Sequence, residues 1–367
     1  MAPIGILKQL SKRSRTARRA LLGNSTVDAM NRIFLLISIL FLATCGGTAS
    51  KSGETANPAS AAEDKVVEAA VIVPAFDADS AYAFIARQVA FGPRVPNTAS
   101  HRKCGEYLVS KLKGYGADVV TQDVALKAYT GELLQSRNII AQFNPEADAR
   151  VMLCAHWDTR PWADTDPDKA NHYKPLPGAN DGGSGVGVLL EIARHLSQVP
   201  ATVGVDIMLF DAEDYGLHEN DSHLWDKHRH SWALGSQYWS INPHKQGYNA
   251  RYGILLDIVG APSSTFLREG YSEYFASAVI DKIWSQAAKL GYSAYFVNEE
   301  GGAVTDDHYY VNRVMGIPCV DIINSDSDSP NGFGPYHHTM KDDMDWIDRG
   351  TLKAVGQTVM TVIYNEK

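Results

Sequence analysis

The sequence predicts an α/β fold, a three-layer sandwich with a mixed, largely parallel central sheet. Three observations carry that expectation. Short apolar runs of β type alternate with stretches of helical period along most of the chain. Three of those runs end in acids, at Asp158, at Glu213–Asp214 and at Asp257. In open α/β sheets ligands bind beyond the carboxyl ends of the strands, so these acids fall where such a fold places a site.

The elements follow in chain order. Helical period appears over 79–91 and 99–114. The apolar runs "ADVVTQDVAL" (117–126) and "RNIIAQF" (137–143) come next and can pair as an antiparallel hairpin at one edge of the sheet. "RVMLCAHWD" (150–158) precedes a helix over 184–198, in which Val188, Leu189, Ile192 and Leu196 share one face. "VGVDIMLFDAED" (203–214) and "YGILLDIVG" (252–260) are the following strands. A helix over 272–290, a helix over 306–315, the strand "IPCVDIIN" (317–324) and a helix over 347–364 complete the pattern. No internal repeat is apparent.

The first 65 residues are of another kind. Residues 1–29 are basic, and "MNRIFLLISILFLATCGG" (30–47) has the charge, short apolar core and small-residue end of a signal peptide. The apolar run is shorter than the roughly 20 residues a spanning helix needs. "LATC" resembles a bacterial lipoprotein cleavage box, with Cys45 as the lipidated residue; an uncleaved basic leader is the alternative, and Met30 is a second possible start. Residues 1–45 are therefore read as leader and signal, 46–65 as a flexible tether rich in Ser, Gly and Ala, and 66–367 as one domain. This implies a protein of the bacterial cell envelope, held to a membrane by lipid and facing the periplasm or the exterior.

Composition narrows the partners. The chain is 45% apolar and 21% charged, as a soluble globular protein is. Setting aside the seven basic residues and one acid of 1–45 takes the net charge from −8 to −14. Nucleic acid is thereby excluded as an expected partner. Cys104, Cys154 and Cys319 are an odd set, two of them inside strands, and are read as free thiols.

"GANDGGSGVG" (178–187) sits between a strand and a helix, where phosphate loops occur. No Lys follows its glycines, and their spacing is not G-x-G-x-x-G, so both phosphate readings fail. What remains is Asp181, presented at a helix mouth, either as a plain N-cap or as a ligand. Asp181 has company: His156 and Asp158 in "AHWD", Glu213 and Asp214 in "FDAEDYG", Asp257 in "LLDIVG", and His337 and His338 in "YHHTM". Histidine and carboxylates without cysteine suit zinc in a catalytic role.

In that order these motifs resemble the zinc-dependent aminopeptidase superfamily over about 78–365. The resemblance implies a zinc aminopeptidase-like α/β fold. Two branches compete. Dinuclear aminopeptidases would use His156, Asp181, Asp214, Asp257 and His338 for two zinc ions, with Glu213 as base. Glutaminyl cyclases would hold one zinc through Asp181, Asp214 and His338. "LLDIVGAPSSTF", "DDHYYVNRVMGIP" and "HHTMKDDMDWID" resemble cyclase segments, and "HWDTRPWADTDP" and "WALGSQYW" look like their bacterial subtype. The cyclase resemblance implies Glu213, Asp257 and Asp306 as catalytic carboxylates and peptides or exported proteins with an N-terminal Gln as partners. His156 would then be structural. Three features depart from the animal cyclases: Asp214 stands where they usually have Glu, their paired cysteines are missing, and His337 replaces a Trp. The His-rich stretch 218–232 is read as a solvated loop over the pocket, with Trp225 or Trp232 as an aromatic wall. A non-enzymatic binding lipoprotein is the remaining alternative, and the Glu213 base argues against it.

Overall fold

Burial along the strands separates the edge of the sheet from its centre. β1 (Asp118–Lys127) has no buried residue. β2 (Leu133–Phe143) passes from alternating to continuous burial. β3 (Arg150–His156) and β4 (Gly204–Phe210) are buried at every position, as strands covered on both faces must be. β5 (Gly253–Asp257) and β8 (Cys319–Ile323) complete a sheet in the order β1-β2-β4-β3-β5-β8. β3, β4, β5 and β8 run parallel, while β1–β2 and β2–β4 are antiparallel. The expected edge hairpin is therefore present, in register from Asp118 opposite Gln142 to Lys127 opposite Leu133. β6 (Phe266–Arg268) and β7 (Phe296–Glu300) form a separate parallel pair that no apolar run announced.

The structure is a computed structural model and describes residues 72–367. The leader, Cys45, the tether and the boundary at 66 lie outside the described residues. Six longer helices are α1 (Ala78–Val89), α2 (Ala99–Gly114), α3 (Gly183–Gln198), α4 (Leu234–Ile241), α5 (Gly270–Lys289) and α6 (Arg349–Tyr364). Asp77, Thr98, Glu269 and Asp348 cap α1, α2, α5 and α6 through side-chain oxygens. Ile85, Leu108, Leu189 and Val355 pack with Leu153, Ile207 and Ile254 on one side of the sheet. Trp239 of α4 and Val311 pack with Met152, Cys154, Met208 and Leu255 on the other. Three layers result, as expected. Cys104, Cys154 and Cys319 are buried and free. Among the described residues no helix is long and apolar enough to cross a membrane.

Two elements differ from expectation. The helix foreseen over 306–315 is one α turn, Asp307–Tyr310, followed by a π turn, Val311–Met315, which Gly316 ends at φ 69°. π turns concentrate at functional sites. The run 203–214 stops being strand at Phe210, because Ala212 adopts φ 53° and turns the chain. From β3 the chain crosses through α3 to β4 on one side, and β5 lies on the other side of β3. The strand order thus reverses between β3 and β5, and the crevice at that switch point is the expected ligand site.

Candidate active site

Four connections at the carboxyl ends of the strands build the site. Asp158, just beyond β3, is fully buried and accepts from the backbone N–H of Glu213 (3.1 Å) and of Asp214 (3.2 Å). It fixes the turn that presents these two acids rather than joining them. Asp342 does the same for the loop before α3, accepting from the N–H of Asn180 (2.7 Å) and Asp181 (3.1 Å). Asn180 Oδ1 in turn accepts from Gly260 N–H (2.7 Å), which ties that loop to the one after β5. Arg94 donates to the carbonyls of Trp157, Pro177 and Gly178 and locks the loop after β3 against the same segment.

The glycines of "GANDGGSGVG" have a physical reason. Gly182 is the N-cap of α3 at φ 74°, and an added Cβ would lie 2.7 Å from the Asp158 carbonyl oxygen and 2.9 Å from the His156 ring. At Gly185 a Cβ would lie 2.2 Å from the Leu256 carbonyl oxygen. The glycines let α3 approach β3 and β5 closely. Asp181 makes no capping bond to α3, so the plain cap reading of that residue falls.

Asp181, Glu213, Asp214, Asp257, Asp306, His337 and His338 line one cavity of about 350 Å³, a size suited to a small ligand or side chain. His338 Nε2 lies 3.3 Å from Asp214 Oδ1 and 3.6 Å from Asp181 Oδ2. His337 stacks on His338 at 3.7 Å and reaches Asp181 Oδ2 at 3.8 Å. Ligand atoms of Asp181, His337 and His338 lie within 4.8 Å of one another, so His337, which stands where the animal cyclases have a Trp, lies among the metal donors as well as at the pocket wall. His156 is buried beside this set, its Nε2 3.1 Å from Asp181 Oδ1 and 3.2 Å from Asp257 Oδ1. Trp232 lies parallel to His338, with 5.8 Å between ring centres, and half-exposed Trp225 stands at the rim. Phe333, Ile323, Val304 and Thr305 also face the cavity and were not singled out from the sequence. Phe333, Val304 and Thr305 belong to loops without period, where no pattern points inward, and Ile323 ends β8 as one apolar residue among several.

The donor set fits a metal ion. Both carboxylate oxygens of Asp214 are buried without a hydrogen-bond partner, and a bound cation would satisfy them. Burial holds His337 down at about 3 and His338 down at about 4, which keeps both imidazoles neutral as metal ligands require. Burial, with Asp181 adjacent, pushes Asp214 well above the usual carboxylate range until a cation offsets it.

In the same cavity burial raises Glu213 well above the usual carboxylate range, and the Asp306 charge adds to it. Asp306 is pushed up to about 7, by burial first and then by Asp257. The backbone is strained here as well. Ala212, Ile258 and His338 have φ of 53°, 43° and 56°. Such non-glycine residues cost of order 1–3 kcal/mol each and cluster at sites that need a particular side-chain direction. Each of the three is, or adjoins, a residue of the cavity.

An α/β sheet with a carboxylate–histidine metal site at its switch point defines the class. Residues 138–363 match Peptidase family M28, and the chain belongs to that family. Aminopeptidase YwaD of Bacillus subtilis is 27% identical over 285 residues, 74% of this chain; the chain spans 54% of that protein's length. The glutaminyl-peptide cyclotransferase of Bos taurus is 25% identical over 301 residues, 74% of this chain and 77% of that protein. Among solved structures, Tannerella forsythia glutaminyl cyclase is 54% identical with a TM-score of 0.78, over 80% of this chain and all of that one. Bacteroides thetaiotaomicron glutaminyl cyclase bound to N-acetylhistamine is 54% identical with a TM-score of 0.77, over 81% of this chain and all of that one. A Zn-dependent exopeptidase from Parabacteroides distasonis is 55% identical with a TM-score of 0.78, over 80% of this chain and all of that one.

Proposed function

We propose that the chain is a zinc-dependent glutaminyl-peptide cyclotransferase, which closes an N-terminal Gln to pyroglutamate and releases ammonia. The observation that carries this reading is the joint placement of Glu213, Asp257 and Asp306 around one cavity with Asp181, Asp214 and His338. The similarity to two bacterial glutaminyl cyclases at 54% identity supports it.

Asp181, Asp214 and His338 would hold one zinc ion, which supplies Lewis acidity toward the γ-carbonyl oxygen. In the reaction the α-nitrogen bonds to the γ-carbon, and the bond from that carbon to the amide nitrogen breaks. Glu213 takes a proton from the attacking amine and returns it to the departing nitrogen, which leaves as ammonia. Burial raises its affinity for protons, which suits it to hold the proton between the two transfers. Asp306, pushed up to about 7 by burial and then by the Asp257 charge, orients the amine together with Asp257. The nucleophile is part of the substrate, so the cavity wall supplies much of the rate by holding it in place. Trp232, Trp225 and Phe333 form an apolar boundary for the Gln side chain.

The second reading is an aminopeptidase with two metal ions. It is favoured by one observation, that ligand atoms of His156, Asp181 and Asp257 also lie within 4.8 Å of one another. Zinc counting together with product analysis separates the two. One zinc per chain and ammonia from a Gln-initiated peptide support cyclisation. Two zinc ions and release of the free N-terminal residue overturn it.

For location, the segment 30–47 supports a lipid-anchored protein of the cell envelope, with Cys45 as the modified residue. Cys45→Ser is expected to abolish membrane association. A variant that still sediments with membranes after a salt wash rules that anchor out.

A further inference from the structure

Arg160 lies outside the residues assigned a role above, yet it touches both the metal side of the cavity and its aromatic wall. Its side chain is 1% exposed. The guanidinium clamps Asp164 with both prongs, Nε to Oδ1 at 2.8 Å and Nη2 to Oδ2 at 2.5 Å. Nη1 donates to the Asp214 carbonyl at 3.2 Å and stands 3.8 Å from Asp214 Oδ1; Nη2 also donates to the Leu217 carbonyl at 3.0 Å. Four of the five N–H groups are thus committed to fixed acceptors, and the last faces the Asp214 carboxylate. The guanidinium carbon lies 4.5 Å from the centre of the Trp232 ring, within cation–π range. Trp232 is parallel to His338. Asp164 completes the circuit, with Oδ1 3.8 Å from His338 Nδ1.

A planar fork suits this task. A lysine ammonium in the same place cannot satisfy Asp164 bidentately, bond two carbonyls and lie over an indole at once. The positive charge also offsets a crowd of acids, Asp164, Asp181 and Asp214, that would otherwise repel one another when the metal is away.

We infer that Arg160 is a positioning residue, which sets the Asp214 turn and the Trp232–His338 stack in the geometry that retains the metal. This rests on the reading of Asp181, Asp214 and His338 as the zinc ligands. Groups that orient metal ligands from behind typically contribute 10–100-fold in affinity.

The test is the rate at which the purified zinc-loaded protein releases zinc to an excess of chelator, a readout independent of the reaction catalysed. Arg160→Lys and Arg160→Ala are expected to release zinc about 10–100-fold faster than the unaltered protein. Added guanidinium, at a concentration that leaves the melting temperature unchanged, is expected to slow release from Arg160→Ala and leave the unaltered protein as it was. Release from Arg160→Lys at the native rate overturns the inference. So does a folded Arg160→Ala that guanidinium does not rescue. If Arg160→Ala does not fold, Arg160→Lys alone decides. Ammonia release from Gln-peptides by the unaltered protein tests the cyclase reading separately, so the two can fail independently.

Discussion

The carboxylates of the site fall into two groups, a metal side and a proton side, that are built differently. On the metal side each carboxylate has an orienting partner. Asp164 is held by Arg160, Asp181 meets His156 and His338, and Asp214 meets His338 with Arg160 behind it. In the other group, no Arg or Lys among the described residues forms an ion pair with Glu213, Asp257 or Asp306; Asp257 meets His156, and Asp306 Oδ2 is buried without a hydrogen-bond partner. Despite burial, Arg160 holds Asp164 and His156 holds Asp181 below the usual carboxylate range, while buried Asp214 depends on a cation for its charge. In the second group burial makes Glu213 and Asp306 hold protons more tightly. The same residue types thus do metal chemistry on one side and proton chemistry on the other, decided by what stands behind them.

The sharpest way to break this comparison is to remove a charge from the metal side. Asp214→Asn keeps the shape of the side chain but takes away a ligand charge. It is expected to lose zinc on dialysis, and activity with it by more than about 10³-fold, since the general acid–base contribution alone reaches 10²–10⁴. Zinc content measured beside ammonia release checks it. A variant that keeps one zinc ion would place Asp214 outside the ligand set and leave His337 as the candidate suggested by its proximity to Asp181.

Glu213 is the neighbour in sequence and the opposite in role. Glu213→Gln removes the proton acceptor without touching the proposed ligands. A kcat loss of about 10²–10⁴-fold with one zinc retained is expected. If Glu213→Gln sheds zinc while Asp214→Asn keeps it, the two assignments are exchanged.

How far this contrast was legible in the sequence depends on the kind of residue. The strand-end acids and the "GANDGGSGV" loop marked the place, because carboxylates at the ends of apolar runs have few structural reasons to exist. The two-strand pair β6–β7 left no signal, since β6 has three residues and β7, Phe296–Glu300, is mostly polar, unlike the equally short apolar β5 and β8. The helix over 306–315 was foreseen as continuous because its apolar spacing is helical, and spacing does not distinguish an α from a π turn. Asp158 was visible as an acid at a strand end, but its work is to bond two backbone N–H groups, which only the turn at Ala212 makes possible. Arg94, Arg160 and Asp342 are single charged residues in loops. Nothing in sequence separates a buried, orienting arginine from a solvated one; the partners that bury Arg94 and Arg160 are brought together by β3, β4 and α3.

The smallest effect is expected at Asp306, and it runs against the others in sign. Burial and Asp257 raise its carboxyl from an ordinary value near 3.8 to about 7 in the folded protein. A folded-state pKa above the unfolded one means the native state binds the proton more tightly. Its contribution to stability is therefore fully present below about pH 4 and is lost as pH rises through about 7. Within that window each unit of pH weakens the fold by on the order of 1 kcal/mol. Asp306→Asn cannot lose that proton, so it should melt higher than the unaltered protein at pH 8 and near the same temperature at pH 4, while cyclising more slowly. Melting curves at the two pH values decide it. The unaltered protein would then carry a destabilising carboxylate at neutral pH because the reaction uses it, the usual exchange of stability for function at a site. Equal shifts at both pH values would mean that Asp306 is already ionised in the folded state, and the contrast between the two sides of the cavity would lose its proton half.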